Sequence, residues 1–431
     1  MLSGERIKEK PVKGFSWLSL LVSNHQSSMD KNKFFTGQPI FTQLLKFIPR
    51  ANVSKLASQY QADRYYKKFR TYDHLVTMLY TCLHSCKSLR EVTTGMQVAF
   101  NKLTHLGLRY IPRRSTLADA NRARNEEVFG KLYHELYQRY YGNLPDSRSK
   151  KSLEERLFIV DSTTIKLFSD VMKGLGREPV TGKQKGGAKA HVLMKSDEDL
   201  PRYVLITHAT KNDKIILNNF NLEPGSIVVL DKAYNNFNKL AQWGKGKVFW
   251  VTRLWNRTSY VTLSKKDLSP EEQQSGVIAD EIILMGRPSN KDTIKLKARK
   301  ITYFDVASKR KFEFITNHMK FGALKIAFIY KKRWQIEMLF KRIKQTYPLK
   351  YFLGDSENAI KIQIWCSLLA DLLVKIVKDK CRRKKWSYTN IASMIRLHLM
   401  SYVNLFKFLS NPEKALINYN HQHSSQLMLY T

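Results

Sequence analysis

The chain has 431 residues, 43% of them apolar and 12% aromatic, which is length for two or three domains of about 150 residues each and a composition that excludes wholesale disorder and collagen-like repetition. Lysine and arginine number 74 against 36 aspartates and glutamates, a formal net charge of +38. Such an excess says nothing about fold; it points to a polyanionic partner, either nucleic acid or an anionic membrane surface.

Residues 1–28 read as an N-terminal extension. Lys8, Lys10 and Lys13 precede the apolar run Phe15 to Val22, but that run is short and no small-x-small cleavage site follows, which argues against secretion. Met29 is an alternative start. Residues 29–150 read as a helical domain. Phe41, Leu44, Leu45, Phe47 and Ile48 recur at helical spacing until Pro49, and His74 to Leu83 supplies a second helix. Ser88 with Glu91 three positions later has the capping-box spacing ahead of Val92 and Met96. Arg113, Arg114, Ser115 and Thr116 open a long helix expected to run towards Tyr141; such an N-terminus can grip phosphates or be an ordinary solvated start. Asn143, Pro145, Asp146, Ser147 and Ser149 are loop formers and place a boundary near residue 150.

The pattern then changes to strands. Leu157 to Val160 and Ile227 to Leu230 are uninterrupted apolar runs, suited to strands buried on both faces, and end in Asp161 and Asp231. Between them Ala190 to Met194 and Tyr203 to Thr207 form a hairpin pattern, and Lys211 to Asn219 a short crossover helix. Residues 151–247 are therefore read as the first part of a mixed α/β domain. Residues 248–320 carry short β-like segments at Val248 to Thr252, Val277 to Leu284, Thr293 to Leu296, Thr302 to Val306 and Phe312 to Ile315, and read as a β-rich insertion. Helical periodicity returns near Leu324, so residues 321–431 are taken as the second part of the α/β domain with C-terminal helices. The most apolar stretch, Ile362 to Val377, follows Lys361 and is interrupted by Asp371 and Lys375. No run of about 18 uncharged residues is left to span a bilayer, so a membrane partner is not expected. Cys82, Cys86, Cys366 and Cys381 are too few and too irregular for a disulfide framework, and the Cys82, His84, Cys86 cluster lacks zinc-ligand spacing. A reduced, cytoplasmic protein fits that usage.

The segment from Tyr330 to Lys344 carries the most information. At about 100° per residue, Tyr330, Arg333, Glu337 and Lys344 fall near 0°, 300°, 340° and 320° on a helix, one stripe about 60° wide. Ile336, Leu339, Phe340 and Ile343 occupy the neighbouring face. A helix could thus bury one face and present on another a carboxylate flanked by two cations and a phenol. Asp161 and Asp231 sit at expected strand ends, where ligands bind in open α/β sheets. With Glu337 they would make an all-oxygen site of the kind that suits Mg²⁺, and paired ions about 3.5–4 Å apart can activate a water and stabilise a leaving oxygen in phosphodiester cleavage.

Tyr330, Arg333, Glu337 and Lys344 match without a gap the Tyr-x2-Arg-x3-Glu-x6-Lys signature of DDE transposases of bacterial insertion sequences, in the insertion-sequence-four type, which the chain resembles. Ile159 to Thr163 and Val229 to Tyr234 resemble that family's two aspartate motifs, Gly354 to Ala359 with Gln363, Ile364 and Trp365 its downstream helix, and Phe41 to Leu45 with Arg114 to Asn121 the helical domain of one branch. The resemblance implies an RNase H-like catalytic domain interrupted by the β-rich insertion. It implies Asp161, Asp231 and Glu337 as catalytic metal ligands for two Mg²⁺ ions, with Mn²⁺ as a substitute, and Tyr330, Arg333 and Lys344 as holders of terminal phosphates. It also implies cleavage of the element's terminal inverted repeats, joining of the 3′-hydroxyl ends to target DNA, a homodimer on the double-stranded DNA, and a cytoplasmic, nucleoid-associated location. Ala233 departs from the family, where a glycine often precedes the tyrosine. A catalytically inactive, transposase-derived DNA-binding protein is the alternative function, and a general RNase H-like nuclease a third.

Further candidates are less specific. Lys185, Lys189 and His191 could contact DNA or belong to a solvated hairpin. Trp250 and Trp255, beside Arg253, could stack on a flipped base or be core. Lys378, Lys380, Arg382, Arg383, Lys384 and Lys385 form a basic run suited to backbone contacts or to a solvated helix face. Asp170, Asp197, Glu198, Asp199 and Asp213 are competing carboxylates, none of which directly ends a buried apolar run.

Overall fold

A computed structural model describes residues 37–142, 153–166, 187–196, 198–286, 295–381 and 386–417. The N-terminal extension with Met29, the boundary loop, Lys185, Asp170, Asp197 and residues 382–385 lie outside the described residues. The N-terminal helices are α1 (Ile40–Leu45), α2 (Arg50–Gln59), α3 (Thr71–His84), α4 (Leu89–Val98), α5 (Arg114–Ala123) and α6 (Glu127–Tyr141). Ser88 caps α4 by accepting from the Glu91 N–H at 3.1 Å, while the Glu91 carboxylate reaches back to the Lys87 N–H at 2.7 Å. The single long helix expected from Arg114 to Tyr141 is two helices. Arg124 leaves the helical region (φ −76, ψ 129) as its side chain turns inward to donate to Ala62 O (3.2 Å) and Phe69 O (2.7 Å). The freed carbonyls of Asn121 and Arg124 accept from Asn358 Nδ2 at 2.9 and 2.7 Å, so the break is compensated from another part of the chain.

After α7 (Leu153–Arg156) come strands β1 (Leu157–Lys166), β2 (Gly187–Lys195), β3 (Pro201–His208) and β4 (Ile227–Leu230), then α8 (Phe237–Lys245), β5 (Phe249–Arg253), β6 (Tyr260–Lys265), α9 (Pro270–Gln274), β7 (Val277–Met285), β8 (Leu296–Asp305) and β9 (Arg310–Thr316). The expected β2–β3 hairpin is present and antiparallel; the expected crossover helix is a 3-10 segment, Asp213–Asn219. All nine strands form one sheet in the order β3-β2-β1-β4-β5-β9-β8-β7-β6. The β-rich stretch after residue 248 is therefore an extension of the same sheet and not a separate layer: β5 runs parallel to β4, and β9 returns antiparallel to β5. Val248–Thr252, expected in the insertion, is a central strand.

The chain ends in α10 (Ala323–Lys331), α11 (Trp334–Thr346), α12 (Glu357–Lys380), α13 (Tyr388–Leu397) and α14 (Leu405–Ser410). The apolar stretch expected at Ile362 to Val377 is the buried middle of α12, and among the described residues no helix is long and apolar enough to cross a membrane. The continuous helix expected through Tyr330 and Lys344 is interrupted at Lys332 and Arg333. There the bonds shorten to the i→i+3 type, Arg333 N–H to Tyr330 O at 3.0 Å and Gln335 N–H to Lys332 O at 3.0 Å, a tightened 3-10 turn. The N-terminal helices have no core of their own. Phe41, Leu79, Val92 and Phe129 share one apolar cluster with Ile336, Leu369, Ile395 and Phe408 from the C-terminal helices, and the buried Gln43 side chain bonds Val403 O (2.7 Å) and the Leu405 N–H (2.9 Å).

Candidate active site

The pairing of β1 with β4 is parallel and ends at Val160↔Leu230, so Asp161 and Asp231 are the next residues on two adjacent strands. β4 stops there. β1 does not stop, contrary to the sequence expectation: it continues to Lys166 against β2, because its other neighbour is long enough to keep its backbone bonded. Period-2 alternation then fixes the faces. Phe158, Val160, Val228, Leu230 and Trp250 pack on one side of the sheet, whereas Leu157, Ile227, Val229 and Val251 pack on the other, with Ile326, Ile329 and Tyr330 of α10. Asp161, Asp231 and Arg253 share the parity of this second set, and three neighbouring strands therefore aim them at the face that α10 and α11 cover.

α11 crosses β1, and three polar contacts tie it and the turn before it to β1 and the end of β2: Arg333 Nη1 to Asp161 Oδ2 (2.7 Å), Ser196 Oγ to Gln335 Oε1 (2.7 Å) and Lys344 Nζ to Thr164 O (2.9 Å). Arg333 also donates to the Glu337 carboxylate, so one guanidinium bridges the carboxylates of a strand and a helix. Arg253 Nη2 lies 2.9 Å from Asp231 Oδ2. The guanidinium groups of the two arginines flank Tyr330, whose ring centre is 5.8 Å from Arg253 Cζ and 5.9 Å from Arg333 Cζ. Asp161 also accepts from the Ser162 N–H (2.8 Å), and Asp231 from the Ala233 N–H (3.1 Å), where it caps the 3-10 turn Lys232–Tyr234. Ala233 is not among the positive-φ residues, so alanine stands there without backbone strain.

The Asp161 side chain is 17% exposed and that of Glu337 32%. Burial pushes the Asp161 carboxyl up to about 6; Arg333 and the Ser162 N–H oppose this, and the charges of Asp231 and Glu337 add to it. Three carboxylates are therefore electrostatically coupled, with two arginines dispersed among them. Among the described residues no three acidic, histidine or cysteine side chains are gathered closely enough to hold a metal ion as they stand, and Arg333 is the group between Asp161 and Glu337. The donor set itself, all carboxylate oxygens, fits a hard divalent cation.

Other expected residues fall differently. Lys189 is turned to Asp213 (3.2 Å) and to Lys211 O (3.2 Å). His191 is buried, held neutral by burial with its pKa lowered to about 4, and bonds Thr207 Oγ1 at 2.9 Å. Trp250 is fully buried, its indole donating to Leu240 O at 3.1 Å; being on the opposite face to Arg253, it is core and not a stacking platform. Trp255 is exposed. Asp213, set aside because it ends no apolar run, accepts from Ser162 Oγ at 2.8 Å beside Asp161. Its only sequence signal is position, at the start of the segment after the hairpin.

Comparison with known proteins places the chain among transposases. The transposase DDE domain family matches residues 152–373, and a domain of unknown function, DUF4372, matches residues 36–109. A Sinorhizobium fredii protein carrying the name of a transposase, y4zB, is 29% identical over 265 residues, 62% of this chain and 71% of its own length. A Synechocystis protein named as a transposase for insertion sequence element IS4SA is 24% identical over 67% of this chain and 78% of its own length. One from Geobacillus stearothermophilus, named for insertion sequence element IS5377, is 25% identical over 58% of this chain, which spans 62% of that relative. Among solved structures, a piggyBac transposase synaptic complex with hairpin DNA aligns with 91% of this chain and 84% of its own at 9% identity and a TM-score of 0.42, too low to bear on the fold.

Proposed function

The chain belongs to the transposase DDE domain family, which covers more than half of it, and on that premise we propose that it is a DNA transposase of the insertion-sequence-four type with an RNase H-like catalytic domain. In this reading it binds the terminal inverted repeats of its own insertion sequence, cleaves them hydrolytically and joins the 3′-hydroxyl ends to target DNA as a homodimer, in the cytoplasm at the nucleoid. The proposed domains are the helical DNA-binding segment 29–150, the catalytic domain in two parts, 151–247 and 321–431, and the β-rich extension 248–320 between them. The observation that carries the reading is the placement of Asp161 and Asp231 side by side on one sheet face, beneath the helix that brings Glu337 to them through Arg333.

Asp161, Asp231 and Glu337 are the residues that would hold divalent cations, Mg²⁺ or Mn²⁺. When bound, such ions supply an activated water and charge stabilisation at the leaving oxygen. The protein's own part is positioning. Tyr330, wedged between Arg253 and Arg333, keeps two cations at the mouth of the carboxylate cluster, where a phosphate gives each an anionic partner in place of Asp231, Asp161 or Glu337. Arg forks suit bidentate phosphate contact, and Lys344 adds a point charge about two helical turns beyond Glu337. Lys189, paired with Asp213 at the edge of the cluster, is a weaker DNA contact than its sequence position implies.

The test is cleavage of a labelled duplex carrying the element's end, in Mg²⁺. Asp161→Asn, Asp231→Asn and Glu337→Gln are each expected to abolish cleavage and leave end binding in place. Cleavage retained by any one of the three removes that residue from the site. The inactive, transposase-derived alternative is disfavoured by the presence of all three carboxylates.

A further inference from the structure

The +38 charge is not spent at the catalytic cluster alone. In the N-terminal helical segment, a cleft of about 1060 Å³ lies between the loop after α2 and the loop before α5. Arg50, Lys67, Lys68, Arg70, Arg109 and Arg113 line it against a single carboxylate, Asp73. All six cations are exposed. The acids nearby are already engaged. Asp73 accepts from the Arg70 backbone N–H at 3.0 Å, and Asp63 accepts from Thr71 N–H and Oγ1 at 2.7 and 2.8 Å. Among the described residues none of the six cations has an ion-pair partner.

The wall is also tied to the helix end beneath it. The buried Arg124 ties both ends of the basic loop through Ala62 O and Phe69 O and lies 4.2 Å from the Tyr66 ring centre. The cations are thus presented on a preorganised backbone, which lowers the ordering cost of binding an anion. Some of the aromatic rings beside the cleft carry arginines of their own. Arg50 covers one face of Tyr72 at 4.4 Å, and Arg64 one face of Tyr65 at 5.3 Å. A groove whose lining carries six exposed guanidinium and ammonium groups against one carboxylate suits a phosphate backbone.

We propose that this cleft is a second DNA site, one that grips the sugar-phosphate backbone of duplex DNA independently of sequence and away from the carboxylate cluster. The assignment rests on the reading that the chain acts on DNA, and not on which residues cleave it. The full chain is titrated into a labelled random-sequence duplex at several salt concentrations, followed by fluorescence anisotropy, with a single strand of equal length and phosphatidylserine vesicles as comparison probes. The combined variant Lys67→Gln, Lys68→Gln, Arg109→Gln, Arg113→Gln should lose at least about tenfold in duplex affinity, and the slope of log K against log salt should flatten by up to ~0.9 per contact removed. Arg109→Lys with Arg113→Lys should keep the slope, which separates lost charge from lost fold, and thermal midpoints of both variants should match that of the parent. An unchanged duplex slope in the combined variant, or a loss confined to single strands or vesicles, overturns the proposal. Glu337→Gln is measured alongside: if it still cleaves, the catalytic assignment fails while the slope result for the cleft stands.

Discussion

Arg342 sits on α11 between Glu337 and Lys344, and its guanidinium ties that helix to α12 and to the residues after β2. It lies 2.9 and 3.2 Å from the two Asp371 oxygens of α12, bonds Asp199 O at 2.9 Å and the Asp199 carboxylate, and stacks 4.5 Å from the Tyr388 ring centre. The Asp371 side chain is 1% exposed and that of Arg342 12%. Replacing Arg342 by Met keeps most of the side-chain volume but leaves a buried carboxylate without its cation, a change that costs about 3–5 kcal/mol. Tyr388 still donates to Asp371 Oδ1 at 2.7 Å, which places the expected loss at the lower end, ~3 kcal/mol. At about 2–4 °C per kcal/mol for a chain segment of 150–250 residues, the thermal midpoint should fall by roughly 6–12 °C. Thermal unfolding followed by far-UV circular dichroism measures it. The double variant Arg342→Met, Asp371→Leu should recover most of the loss, since removing both charges removes the desolvation cost as well, and Tyr388 keeps its bond to Tyr347 at 2.7 Å. A fall of less than about 2 °C in the single variant, or a double variant no better than the single, refutes the reasoning.

Three further outcomes follow from burial and packing. Because the Asp161 carboxyl is pushed from its ordinary 3.8 up to about 6, chiefly by burial, its ionisation opposes folding; the cost is absent below pH 3.8 and complete once the pH has risen through 6. Asp161→Asn should therefore stabilise the chain by ~3 kcal/mol at pH 8 and by little at pH 4, in chelator, as read from urea midpoints; equal offsets at both pH values count against it. His74 is fully buried, bonds Asn121 Oδ1 at 2.8 Å and is lowered to about 3 by burial and by Arg124. Its stabilising neutral state is present above pH 6.5 and is lost as the pH falls towards 3, so His74→Gln should flatten the acid limb of a midpoint-against-pH profile, and superimposable profiles would contradict this. A Cβ on Gly130 would meet Trp365 Cε2 at 2.8 Å, and Gly130→Ala should destabilise by about 1–3 kcal/mol in urea titration, whereas an unchanged midpoint would mean that α12 yields there.

The sequence by itself determined what depends on neighbours along the chain. The apolar runs ahead of Asp161 and Asp231, the β2–β3 hairpin, the α4 cap at Ser88 and the buried middle of α12 follow from periodicity and capping, which act over a few residues. The spacing of Tyr330, Arg333, Glu337 and Lys344 was legible too, although the helix between the first two is broken. Only the tertiary structure decided the rest, because the deciding contacts lie far apart in sequence. Arg124 breaks the α5–α6 helix to reach Ala62 and Phe69 and is matched by Asn358, more than two hundred residues away. β1 passes beyond Asp161 because β2 goes on pairing with it, and the β-rich stretch joins the main sheet because β9 meets β5. Asp213 reaches the cluster through Ser162, and Lys189 is drawn away from solvent by Asp213. Local pattern sets which face of a strand or helix is apolar; which partner covers that face, and which charges meet across it, is fixed when the sheet and helices close on one another.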